Sequence, residues 1–119
     1  MLVPILRQGE NLIASLQSNL TDRDLLQFSD DLAERLGKWR SRGVIIDISA
    51  VDVLDSFATR MLRGIVATTE LRGASTVVVG MQPEVAFAMI ELGLTFDAIT
   101  TALDLEDGLA FLAARRRKS

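Results

Sequence analysis

The run Val44-Ile45-Ile46, continued by Asp47, Ile48 and Ser49, restricts the architecture more than any other stretch of this chain. Apolar and β-branched residues occupy both of its alternating faces. That pattern suits a strand covered by helices on both sides. After a connector, Ala50 to Asp55, the pattern changes to a helical one. Ala58, Met61, Leu62, Ile65, Val66 and Thr69 recur at spacings of three and four and draw a single apolar stripe. Asp55-Ser56 stands between the two elements. A hydroxyl is therefore expected at a helix start, just past the C-terminal end of a buried strand. Open α/β sheets place ligand and partner sites at that end.

The flanking segments extend the alternation. Val3 to Leu6, with Pro4 inside it, reads as an edge strand or strand start, because proline donates nothing to a ladder. Gly9-Glu10-Asn11 is a turn, and Leu12 to Leu16 is a second strand that would pair with the first as a hairpin. Thr21-Asp22-Arg23-Asp24 resembles a capping box, with Asp24 in the usual Glu or Gln position. The helix after it carries Leu25, Phe28, Leu32, Leu36 and Trp39 on one stripe, and Gly43 is expected to end it as a left-handed cap. Arg72-Gly73 closes the helix that begins at Ser56. Thr76 to Val79 is a further buried strand.

Pro83 fits the first turn of the next helix. That helix would turn Val85, Met89 and Leu92 inward, leave Phe87, Ile90 and Leu94 off the stripe, and be capped by Gly93. Ile99 to Leu103 is a last short strand. Asp104 to Arg117 is a last helix with Leu105, Leu109 and Leu112 inward. Its acidic start and its basic end (Arg115, Arg116, Arg117, Lys118) both suit the helix dipole. The order β-β-α-β-α-β-α-β-α implies one α/β domain over residues 1–119. Its sheet is mixed but mostly parallel, with one antiparallel edge pair and four flanking helices.

Composition limits the chemistry. The 119 residues are 49% hydrophobic, enough to fill one core, and the net charge is −3. An acidic balance gives no electrostatic footprint for nucleic acid. Without cysteine there is no thiolate nucleophile or Cys-type metal site, and without histidine the commonest general base is missing. The start of the chain lacks the pattern of a signal peptide. No apolar run approaches the roughly 20 residues that span a bilayer. A cytoplasmic domain without cofactor or metal is the expectation.

Ser56 is the residue to single out. On the local pattern alone, Asp55 or Ser56 caps the helix. A catalytic serine would need a base within reach, and DVLDSFA lacks the glycines of a nucleophile elbow. A third reading makes Ser56 a phosphate acceptor. The new charge would sit at a helix start, where free N–H groups and the dipole tolerate it, and a partner on that surface would be repelled. Asp47 and Ser49 read as loop-ordering hydrogen bonders. Asp22, Asp24, Asp30 and Asp31 read as a solvated acidic face, and the terminal Arg-Lys run as a frayed tail. Gly80-Met81-Gln82-Pro83 lacks the pattern of a phosphate loop.

These segments bear a family resemblance. IDISAVDVLDSFATR followed by an apolar helix, together with Val3-Pro4-Ile5-Leu6, GMQPEVAFAMIELG and ITTALDLEDGL, resembles the STAS domain, the fold of anti-sigma factor antagonists. The match spans nearly the whole chain. In the sporulation-type antagonists the signature runs Asp-Ser-x-Gly. Ala58 stands at that Gly position here, which fits the RsbS branch of stressosome scaffolds better. The resemblance implies a non-enzymatic scaffold that co-assembles with RsbR-type paralogues and sequesters an RsbT-type switch kinase. It makes Ser56 the phosphoacceptor and places the partner-binding surface at Asp55, Ser56, Phe57, Thr59 and Arg60. An RsbX-type phosphatase would reset the site. The alternatives are a free antagonist that binds an anti-sigma kinase directly, and an accessory domain for small-ligand or lipid transport.

Overall fold

A computed structural model describes residues 2–93 and 99–117. The elements are β1 (Ile5–Gln8), β2 (Asn11–Gln17), α1 (Asp22–Trp39), β3 (Gly43–Ala50), α2 (Ser56–Leu71), β4 (Ser75–Val79), α3 (Pro83–Glu91), β5 (Thr100–Ala102) and α4 (Leu105–Arg117). The strands form one sheet in the order β1-β2-β3-β4-β5. β1 and β2 are the antiparallel pair, and the other neighbours run parallel. The expected class, order and hairpin all hold. The first strand lies slightly later than Val3 to Leu6, so that Pro4 precedes the ladder and no hydrogen bond is forfeited.

The sheet is covered unequally. On one face Leu12, Ala14, Leu16, Val44, Ile46, Ile48 and Val78 meet Phe28, Leu32 and Leu36 of α1, Leu62, Ile65 and Val66 of α2, and Val85 and Met89 of α3. On the other face Ile45, Val77 and Val79 meet Leu112 of α4, with Ile13, Ala102 and Leu109 at the margin. Val44, Ile45, Ile46 and Ile48 are all fully buried, so the apolar run is covered on both sides as its composition requires.

Local signals fix the element ends. Thr21 and Asp24 form a reciprocal capping box: the Thr21 hydroxyl accepts from Asp24 N at 3.1 Å and the Asp24 carboxylate from Thr21 N at 3.0 Å. The left-handed residue at the end of α1 is Arg40, with φ 49°, and not Gly43. Gly43 opens β3 and is small for a different reason: a Cβ there would meet Leu112 Cδ1 at 2.9 Å and the side chain of Asn11. Trp39 is half-buried, with the Arg7 guanidinium 5.3 Å from its ring.

Several inward positions differ from the expected stripes. Leu92, past the end of α3, is exposed, because α3 stops after nine residues. Leu105 is also exposed. The buried residue of α4's first turns is Gly108, which lets the helix backbone approach the sheet. In α2, Thr59 takes the buried place, while Ala58 and Met61 are half-buried. Leu94 and Lys118 lie outside the described residues. Among the described residues no helix is long and apolar enough to cross a membrane.

Candidate functional site

The C-terminal ends of the parallel strands carry the connectors that shape the site. After β3 the chain turns through residues 51–55 before α2 begins at Ser56. Val51 is buried and anchors the turn in the core, and Leu54 packs against its edge. Val53 between them is 70% exposed. Asp47 Oδ1 accepts from Ser49 N at 2.8 Å, the loop-ordering role its type favours. Gly80, at φ 76°, lies so close that a Cβ would come within 2.7 Å of Ser49 Cβ. Gln82 Nε2 donates to Ser49 O at 3.0 Å.

Ser18, just after β2, holds the same turn from the other side. Its hydroxyl lies 2.6 Å from Asp52 Oδ1 and 3.0 Å from Ala50 O, and accepts from Asp52 N at 2.9 Å. The three contacts close across more than thirty residues of chain, and no local pattern announces them. We expect Ser18→Ala to destabilise the fold by only about 1 kcal/mol, because the bonds are exposed. The sharper expected outcome is faster hydrogen exchange at the Asp52 amide. An unchanged rate there would show that the tie does not order the turn.

Asp55 caps α2: its Oδ1 accepts from Ala58 N at 2.7 Å. The division of labour between the two neighbours is thereby resolved. Asp55 satisfies the helix, and Ser56, the first helical residue, presents an exposed hydroxyl without a hydrogen-bond partner among the described residues.

The remaining candidates distribute around this point. Phe57 is half-buried, Arg60 is exposed, and Thr59 is buried with an unpartnered hydroxyl. The structure thus brings Asp55, Ser56 and Arg60 to one surface and sets Thr59 beneath it.

Two concavities flank the serine. One, of about 130 Å³, lies between the β2–α1 and β3–α2 connectors, with Leu20, Leu25, Val53, Leu54 and Ala58 in its walls. The other, of about 210 Å³, is lined by Ser56, Thr59, Arg60, Arg63 and Leu92. Sequence reasoning passed over Arg63, although its spacing of seven from Ser56 marks the same helix face. Phe87 and Ile90 are exposed on α3, off its buried stripe as expected.

The chemistry available is narrow. Asp55 is committed to the cap, and Asp52 to Ser18. Both carboxylates therefore order the connector and the helix start. The acidic residues of α1 serve locally, Asp24 in the capping box and Asp31 as acceptor for Gln27 Nε2 at 2.9 Å. Among the described residues no three acidic side chains group to hold a metal ion.

Comparison with known proteins places this geometry. The STAS-domain family model matches residues 3–108. A solved structure of a serine-to-glutamate variant of Moorella thermoacetica RsbS is 35% identical, with 97% of each chain covered and a TM-score of 0.88. A chain in a structure of the stressosome, described as a signal integration and transduction hub, is 36% identical over 96% of this chain and 99% of that one, with a TM-score of 0.86. The RsbT co-antagonist protein RsbRA of Bacillus subtilis is 25% identical over 107 residues, 89% of this chain. This chain spans 39% of that relative's length and 24% of the related RsbRD. The phosphorylated form of the Bacillus protein SpoIIAA shares the fold at 13% identity, with a TM-score of 0.67. With its sheet order, its connector and its full-length likeness to RsbS agreeing, the chain belongs to the STAS-domain family.

Proposed function

We propose that this protein is a non-enzymatic, cytoplasmic scaffold of a stressosome-type complex. It co-assembles with RsbR-type paralogues and holds an RsbT-type serine/threonine kinase. Phosphorylation of Ser56 by that kinase releases it, and an RsbX-type phosphatase resets the site. The observation that carries the reading is the exposed Ser56 hydroxyl at the first position of α2, relieved of capping by Asp55. The near full-length likeness to RsbS supports it. A phosphoryl group there adds about −1.5 to −2 charges at a helix start, so the fold tolerates the modification while a docked partner meets a changed surface.

Co-expression with a candidate kinase and an RsbR-type paralogue tests the proposal. The expected result is a megadalton-scale particle that retains the kinase until a phosphopeptide containing Ser56 appears. A protein that stays monomeric or dimeric with its paralogue, and enlarges only on adding a kinase, would instead be a free antagonist.

A further inference from the structure

The second concavity has a use that an acceptor serine alone does not require. Ser56, Arg60 and Arg63 lie at i, i+4 and i+7, stacked along one face of α2. With Thr59 and Leu92 they line the cavity of about 210 Å³ between the start of α2 and the end of α3. Arg60 and Arg63 are exposed, and among the described residues neither has an ion-pair or hydrogen-bond partner. Apart from the capping Asp55, no acidic residue stands in the first turn of α2 to offset these guanidinium groups. Thr59 is 4% exposed, and its hydroxyl is unpartnered. A buried hydroxyl without a partner is costly and needs an explanation. The cavity therefore combines two uncommitted cations with the acceptor serine, above a buried hydroxyl that has no partner.

We infer that this cavity is an oxyanion receptor, and that its ligand is the phosphoryl group carried by Ser56 itself. The inference rests on the phosphorylation of Ser56 put forward above. The phosphate folds back along α2, where Arg60 and Arg63 meet its oxygens in charge-assisted hydrogen bonds. Among the described residues, the charged neighbours of its lining in the chain are Asp55, tied to Ala58 N, and Glu91 beside Leu92 at the end of α3. Among the described residues, the cations that line the cavity are the two arginines. Modification then changes the docking surface twice: it adds an anion and withdraws two free cations from any acidic partner.

Phosphoserine installed at position 56 during translation, in the full chain, gives the test. The phosphate is titrated by phosphorus NMR, in wild type and in Arg60→Gln/Arg63→Gln. The second pKa of a free phosphoserine is about 6, and neighbouring cations lower it. The expected result is that the double variant titrates at least about half a pH unit above wild type, with an unchanged melting temperature, since both side chains are exposed. Equal titration curves would overturn the receptor. Because translation and not the kinase places the phosphate, the outcome is separable from the switch. A null shift removes the receptor even where the kinase modifies Ser56, and a shift supports it even where the kinase does not.

Discussion

Ser56→Ala is expected to leave the fold intact and abolish release of the kinase. The structural half follows from the cap. Asp55 accepts the Ala58 N–H, so removing the Ser56 hydroxyl orphans no donor. The side chain is exposed and unpartnered, and alanine is a good helix former, so stability should stay within about 0.5 kcal/mol of wild type. The functional half rests on the proposed switch. Without a phosphoacceptor, assembly with the paralogue proceeds, the kinase is captured, and it stays captured under stress. Ser56→Asp should release it only partly. A carboxylate supplies one charge where a phosphate supplies about −1.5 to −2, and it lacks the third oxygen. Gel filtration of the assembled particle, with the kinase followed by immunoblot, reads all three proteins side by side. If the kinase leaves the Ser56→Ala particle as fast as it leaves the wild type, the switch lies at another residue.

What the sequence disclosed depended on how far apart the cooperating residues are. Val44 to Ile48 could be read as a doubly covered strand because burial on both faces is written in five consecutive residues. The capping box at Thr21 and the helix from Ser56 are legible for the same reason: their partners lie three or four positions away. Gly43 misled because a glycine after a helix has two explanations. One is a left-handed turn, which Arg40 adopts instead. The other is room for a neighbour, here Leu112, which lies nearly seventy residues on. Ser18 was invisible because its contacts with Ala50 and Asp52 are purely tertiary. The division of roles between Asp55 and Ser56 was also undecidable from adjacency: either type caps a helix, and only the folded structure separates them. Leu92 and Leu105 sit at helix ends, where an extrapolated stripe outruns the element that would bury it.

Gly108→Val is expected to cause a large loss of stability at a position remote from Ser56. One face of the sheet depends on α4 for cover, and Ile45, Val77, Val79 and Leu112 are almost completely buried there. The helix backbone comes so near that a Cβ at position 108 would lie 2.9 Å from Val79 Cγ1 and 3.4 Å from Ile45 Cδ1. Alanine sets two terms against each other. It gains up to about 1 kcal/mol of helix propensity and loses a comparable amount to crowding, so its net effect is small. Valine adds two more methyl groups into the same gap. Neither β3 nor β4 can retreat, because each is held by strands on both sides and by α1 and α2 behind. α4 must therefore lift, and overpacking of this kind costs roughly 3 kcal/mol. For a chain of this length that corresponds to a fall in melting temperature of about 10 °C or more. Ala110→Val is the control. It places the same β-branched residue in the same helix at an exposed position, and it should lose only a few tenths of a kcal/mol. Equal melting temperatures for the two variants would mean that α4 does not rest on the sheet as closely as its glycine permits.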